Sequence, residues 1–350
     1  MNEQKTLNYY DAGGAYEEEF VLSKEEIKKC RHKSEQRWYR GLCVINGLIL
    51  LLAVVIIAVY TPLYYQSFCN EVNEMTQEMI ADLKASTNED SGKNAKKAEK
   101  SNQGEKKKKK ESEKEKEEEE ELTTEETDIY MYAIMAIVAL FILPFMLNLY
   151  YQQYRTMSIR ITPKNFPEIY DRVELYAKRL GMKKVPEVYI IQQNGILNAF
   201  SSFIVRKQYI EIYADIFEIA YREHKDLDAI SFILAHEMAH IKYKHATFAY
   251  QMKIMYASII PILGSTASRA REYSCDRLAQ KVTGVDGMDA MFSLMAGKHL
   301  YKMVDKEDYL EYAQGVKGFF VWCANLVADH PVMTKRIQAL AMREGSGKLY

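Results

Sequence analysis

The chain has 350 residues, with 47 lysines and arginines against 48 aspartates and glutamates, so its formal charge of −1 gives no reason to expect a nucleic-acid partner. Its length allows one or two domains. Five cysteines (Cys30, Cys43, Cys69, Cys275 and Cys323) stand without CxxC spacing, which argues against both a disulfide framework and a cysteine zinc site. The balanced average hides strong segregation: two long uncharged apolar runs, one dense Lys/Glu block, and a mixed C-terminal half.

Residues 1–40 form a polar N-terminal segment. Ser23-Lys24-Glu25-Glu26 has the capping-box pattern of a short helix, and Lys28, Lys29, Arg31, Lys33, Arg37 and Arg40 follow it. From Gly41 to Asn70 there is no charge, and Leu42 to Tyr60 is nearly all aliphatic, enough to span a hydrocarbon core as a helix. Trp38 and Tyr39 before it, and Tyr60, Tyr64 and Tyr65 after it, suit the two interfacial aromatic belts. The run is long for a signal-peptide core and lacks a small-residue cleavage site, so residues 41–64 read as a first transmembrane helix.

Residues 65–128 read as an extracytoplasmic loop of low complexity, including Lys106 to Lys110 and Glu117 to Glu121, too polar to fold on its own and either disordered or a solvated Glu/Lys helix. A second apolar stretch, residues 129–153, contains Pro144 and is flanked by tyrosines. It reads as a second transmembrane helix, bent at the proline. Basic flanks (the set before Gly41, then Arg155, Arg160 and Lys164) face acidic ones (Glu71, Glu74, Glu125, Glu126, Asp128). The positive-inside rule therefore puts both termini and the domain at 154–350 in the cytosol, with the chain in the cell membrane.

Within that domain Asn165-Phe166-Pro167 opens a helix that Gly181 ends, with Ile169, Val173, Tyr176 and Leu180 as its apolar stripe. Three strand-like runs follow: Val188 to Ile191, Leu197 to Val205 and Tyr209 to Tyr213. Asn194-Gly195 predicts a hairpin between the first two, and Arg206-Lys207-Gln208 separates the last two. A small, mostly antiparallel sheet followed by helices almost to the C-terminus makes an α+β domain.

The chemistry lies in His236-Glu237-Met238-Ala239-His240, within the apolar run Ile230 to Ile241, on a helix that Asp226 or Asp228 can cap. Two histidines four residues apart share one helix face, so both imidazoles can reach one metal ion. The glutamate between them is placed to act as general base without ligating, which is the HExxH zinc-hydrolase arrangement. A catalytic zinc site wants a third protein ligand and an open position for water. Downstream, Glu272 and Asp276 are one helical turn apart. Glu272 can be the third ligand, with Asp276 accepting a hydrogen bond from a ligand imidazole's other nitrogen. Taken alone, that segment reads more readily as a surface helix with ordinary Arg/Glu/Asp pairing. His245 lies beyond the motif, off the ligand face, and reads as structural.

The combination resembles the HtpX-type membrane metallopeptidases of the gluzincin group, relatives of the CAAX prenyl endopeptidases. The resemblance covers roughly residues 155–345. It rests on two N-terminal spans, Asn198-Ala199-Phe200 in a strand, the HExxH, Arg271-Glu272-Tyr273-Ser274-Cys275-Asp276, and then His330-Pro331 with Arg336-Ile337. It implies a mostly helical zincin-like domain, one Zn2+ held by His236, His240 and Glu272, and Glu237 as base, with Asn198 and His330 facing the substrate or the transition state. Cys275 departs from the family's usual alanine and reads as a buried, inert thiol. HtpX itself has a further membrane hairpin between HExxH and the third-ligand helix. Here that interval holds only Ala246 to Gly264, with Lys253 and Pro261 inside it. One full crossing would put Glu272 and His236 on opposite faces of the membrane, so this segment must be soluble, interfacial or re-entrant.

The implied function is zinc-dependent cleavage of peptide bonds in unfolded or membrane proteins at the bilayer, as quality control or processing. The alternatives are a peptidase dedicated to one substrate, such as a lipid-modified peptide, and an inactive membrane scaffold around a structural zinc. The sequence carries no information on oligomeric state.

Overall fold

The computed structural model describes residues 20–88, 105–192, 199–204, 207–222, 225–342 and 347–350. The chain divides into two compact units. One takes the described residues up to Gly47 together with Leu143–Tyr350, and the other is Leu48–Ile142.

The N-terminal helix α1 (Lys24–Cys30) starts at the expected capping box: Ser23 accepts from the Glu26 backbone N–H while the Glu26 carboxylate accepts from the Ser23 backbone N–H. Helix α2 (Glu35–Asn88) carries the first apolar run and α3 (Glu105–Thr156) the second, with Pro144 inside it. Both are long and apolar enough to cross a membrane, over Glu35–Ala81 and Asp128–Tyr150. Within the second unit Tyr64 stacks on Tyr130, and Thr61 shares a hydrogen bond with the Tyr130 hydroxyl. Leu51, Leu52, Phe141 and Phe145 are exposed.

Strand β1 (Ile159–Arg160) leads into α4 (Pro167–Arg179), which has proline in its first turn and ends at Gly181 with φ +56°. Its stripe Ile169, Val173, Tyr176 and Leu180 is fully buried. Then come β2 (Glu187–Ile191), β3 (Ala199–Ile204) and β4 (Lys207–Tyr213), in the order β1-β2-β4-β3. Here the structure corrects the sequence reading. The expected β2–β3 hairpin is absent, because β2 pairs with β4 in parallel, Val188 opposite Ile210. Strand β3 pairs antiparallel with β4 and β1 antiparallel with β2, so the sheet is mixed. The reason is burial. Tyr209, Ile210, Glu211 and Ile212 are buried on both faces of β4, which takes the sheet interior and leaves β3 at the edge. The Asn194-Gly195 pair and Asn198 lie outside the described residues.

Helix α5 (Ala214–Tyr221) precedes α6 (Leu227–Tyr243), the centre of the domain, which packs against α4, α5, β3, β4 and two later helices. Asp226 caps α6, its Oδ1 accepting from the backbone of Asp228 and Ala229 while Oδ2 accepts from Tyr301 and Lys302. Two helices follow in the Ala246–Gly264 region and beyond: α7 (Phe248–Ile259), at 12 residues too short to span a bilayer, and α8 (Leu263–Thr283). The chain closes with α9 (Met288–Leu300), α10 (Lys306–Gly315), α11 (Phe319–Val327) and α12 (Met333–Ala341). The main core runs through α4, α6, α8, α9 and the inner face of the sheet.

Candidate metal centre

Helices α6 and α8 make the most extensive helix pair in the domain, and the site lies where they face each other. Residues four apart on α6 stack His236 above His240, and their Nε2 atoms stand 3.2 Å apart. From α8, Glu272 brings Oε2 to 3.4 Å from His236 Nε2 and Oε1 to 3.3 Å from His240 Nε2. Donors bound to one tetrahedral zinc at about 2.0–2.1 Å are spaced by about 3.3–3.4 Å, so these three side chains fit that ion without rearrangement. Charge agrees with geometry. The Arg336 guanidinium contacts the Glu272 and Asp276 carboxylates while Glu237 lines the same cavity, so among these four side chains three carboxylates meet one guanidinium, a formal surplus of two negative charges that suits a dication.

Each imidazole is held from behind. His236 donates from Nδ1 to Asp276 Oδ1 at 2.9 Å, which leaves Nε2 as the lone pair that faces Glu272. Asp276 is itself gripped by Arg336, Nε to Oδ2 and Nη2 to Oδ1, both at 2.7 Å. Burial works against ionisation of Asp276, but the guanidinium keeps its pKa below the ordinary carboxylate value. Glu272 is lowered further: burial opposes, and hydrogen bonds from His236, His240 and His330 prevail. The same two carboxylates raise His236 to about 10 although burial alone would lower it, so the field at Nε2 favours a positive charge.

His240 is held by a different chain of contacts. Lys244 ends α6 in the left-handed region (φ 66°), and the backbone N–H of His245 donates to the carbonyl of His240. This turn folds His245 back beside His240, Nδ1 to Nδ1 at 3.1 Å. The other nitrogen of His245 lies 3.2 Å from Glu35 Oε1, in the first turn of α2, and Ser274 hydrogen-bonds the second Glu35 oxygen. Burial pulls His245 down to about 4, so its ring is neutral. For Glu35 burial opposes ionisation, but the bond from His245, with Arg31 and Ser274 nearby, takes it down to about 2. The proton pattern follows: His245 donates from Nε2 to the Glu35 carboxylate and accepts on Nδ1 from His240, whose Nε2 is then free to ligate. The expectation that His245 is structural thus understates it. Its spacing from His240 was visible in the sequence, whereas Glu35 carried no signal at all.

Glu237 is buried yet opens onto a cavity of about 320 Å3, with no hydrogen bond or ion pair to another described residue. The cavity also touches Ala199 at the start of β3, Phe232, Met291, Leu294 and His330. His330, which is 66% exposed, places Nδ1 3.1 Å from Glu272 Oε2, and that bond raises its pKa. The structure thus brings His236, Glu237, His240, Glu272, Asp276 and His330 to one place. Asn198 lies outside the described residues, next to Ala199.

A second cluster of donors, His240, His245 and Cys275, overlaps the first. Its His240 and His245 nitrogens are already paired with each other, and burial pushes the Cys275 thiol well above its ordinary pKa, so it stays protonated. The open cavity adjoins only the first cluster.

A helix-borne pair of histidines and a carboxylate from a second helix form a donor set that could hold a metal ion, with a glutamate at the adjoining cavity. Comparison of the sequence with known families agrees: residues 163–344, just over half of the chain, match peptidase family M48, and the chain belongs to that family of metallopeptidases. No curated protein and no solved structure matches it.

Proposed function

We propose that the protein is a membrane-anchored zinc endopeptidase in which His236, His240 and Glu272 hold one Zn2+ and Glu237 is the general base. The observation that carries this reading is the convergence of three side chains, whose two imidazole nitrogens and two carboxylate oxygens approach one another at 3.2–3.4 Å, beside a glutamate that no other described residue engages. Zinc bound there would supply Lewis acidity and lower the pKa of a water in its open position. Glu237 accepts the proton of the attacking water and later delivers it to the leaving amine. His330, at the rim of the same cavity, donates to the oxyanion as the carbonyl becomes tetrahedral. Asn198, immediately before edge strand β3, contacts the substrate backbone as an extended segment adds to the sheet edge.

The two long apolar helices, with their exposed aliphatic and aromatic side chains, support anchoring in a bilayer. The basic flanks support a cytosolic catalytic domain. Substrates are then unfolded or membrane proteins presented near the bilayer, as in quality control or processing.

Proteolysis of casein by the purified, zinc-loaded protein tests the reading. Wild type should cleave, and Glu237→Gln should bind zinc equally while losing activity by several orders of magnitude. Full activity in that variant, or none in a zinc-bound wild type, would overturn it.

A further inference from the structure

The elbow between α7 and α8 is not used by the proposed mechanism, and it is both apolar and uncharged. From Ile254 to Ser268 there is no charged residue. At the turn Ile259 is 74% exposed and Ile262 41%, with Pro261 exposed between them. The turn is also built against local preference. Ile262 sits at φ +71°, a region that β-branched residues avoid at a cost of about 1–3 kcal/mol. Gly264 packs so close to the Ser258 carbonyl that a Cβ there would lie 1.8 Å from its oxygen. A strained, tight turn that presents isoleucines outward needs something apolar to meet them.

The direction of the elbow identifies what that is. Tyr39 of α2 stacks on Tyr250, ring centroids 4.5 Å apart, at the start of α7. Asn46, two turns further along α2, bridges the α7 backbone: its Oδ1 accepts from Tyr256 N–H at 2.8 Å and its Nδ2 donates to the Met252 carbonyl at 3.2 Å. The two helices therefore run side by side in the same direction. Helix α8 runs back the other way, with Leu42 in the cluster of Ala267 and Trp38 in the cluster of Ala270 and Tyr273. Both registers agree that Ile259 to Ile262 lie beyond the level of Asn46, where the apolar run that starts at Leu42 is already under way. Asn46 is 3% exposed and satisfied by backbone groups, which fits a polar side chain held between helices in an apolar medium.

A second apolar surface is tied to the same end of α8. Helix α11 buries only Asn325 and exposes Phe319 (69%), Phe320 (83%) and Trp322. Its C-terminal carbonyls at Leu326 and Ala328 accept from Ser265 and Arg269. Lys317, Lys335 and Lys348 line the hollow beside Trp322, a basic rim suited to anionic headgroups.

We infer that the α7–α8 elbow and the aromatic face of α11 are seated in the bilayer interface, so that the peptidase domain lies down on the membrane as well as being tethered to it. The inference rests on the anchoring reading above and extends it to the catalytic domain itself. Glu272 is nine residues beyond Leu263, about 14 Å along α8, so an elbow immersed by about 5–10 Å would hold the centre within roughly 10 Å of the membrane surface. A site at that height takes chain segments as they emerge from the bilayer.

The test uses the full-length protein in phosphatidylcholine–phosphatidylglycerol vesicles. An environment-sensitive NBD probe is attached at Ile259→Cys or Phe320→Cys, with Asp171→Cys on the exposed side of α4 as control and with Cys43, Cys69 and Cys323 replaced by serine. The expected result is blue-shifted emission at 259 and 320, quenched by lipids carrying a doxyl group high on the acyl chain and several-fold less sensitive to aqueous iodide than the probe at 171. Phe320 is 83% exposed, so its variant keeps the test open if Ile259→Cys misfolds. Iodide quenching at both positions equal to that at 171 in protein that floats with the vesicles overturns the inference and leaves the anchor intact. Blue-shifted emission without doxyl quenching also overturns it, since a protein partner or a second copy would then cover the patch. Failure to float overturns the anchor reading and the inference together.

Discussion

The two histidines proposed as metal ligands are supported in opposite ways. His236 is backed by a charged pair, Asp276 and Arg336, supplied by α8 and α12 within the peptidase domain. His240 is backed by a neutral imidazole, His245, and by Glu35, which begins the first long apolar helix. One support lies within the peptidase domain alone, whereas the other brings the first turn of α2 to the site. The proposed anchor helix would then be more than a tether, since its first turn contributes through His245 to the hydrogen bonding of a histidine more than 200 residues downstream.

Breaking the charged support should have the largest effect. Arg336→Ala leaves Asp276 and Glu272 buried without their cation, and the expected loss is about 3–5 kcal/mol of stability, read as a large drop in melting temperature in detergent. A variant that melts like wild type would mean that the guanidinium is not what holds the carboxylates.

Glu211 offers a contrast, a buried carboxylate with no hydrogen-bond partner among the described residues. Burial raises its pKa from 4.5 to about 7. The folded state therefore holds the proton more tightly than the unfolded chain, and this contribution is fully present below pH 4.5 and lost as pH rises through 7. Glu211→Gln should raise stability by about 3 kcal/mol at pH 8 and leave it nearly unchanged at pH 4, as thermal melts at the two pH values would report. An equal gain at both would remove the titration argument.

The two supports themselves are compared by zinc affinity. Asp276→Asn should weaken binding by about 10–100-fold, measured by competition with a chromogenic chelator. Glu35→Gln keeps the shape but weakens the acceptor that orients His245, so about a tenfold loss is expected, at the lower end of that range. A zinc affinity unchanged in Glu35→Gln would make the α2 contact a packing feature only.

Much of this was legible in the sequence, for physical reasons that differ by element. Four-residue spacing on a helix is rigid, so His236 and His240 had to share a face, and the stripe of α4 had to be buried. Glu272 and Asp276 were visible as a pair of the same kind, although their meeting with α6 needed the fold. The order of the sheet was misjudged because Asn194-Gly195 is a local turn signal, whereas the partner of β2 is decided by which strand is buried on both faces, and that is β4. Arg336 stood out only as part of a motif, and its grip on Asp276 depends on how α12 crosses α8. Glu35 could not have been found, since contacts over such a separation leave no periodicity to read.

The most direct test of the central claim is X-ray absorption at the zinc edge of the purified full-length protein. The expected first shell is nitrogen and oxygen only, at about 2.0–2.1 Å, with the outer-shell scattering of two imidazoles. A sulfur shell at about 2.3 Å would place the metal on Cys275 with His240 and His245, and would contradict the account.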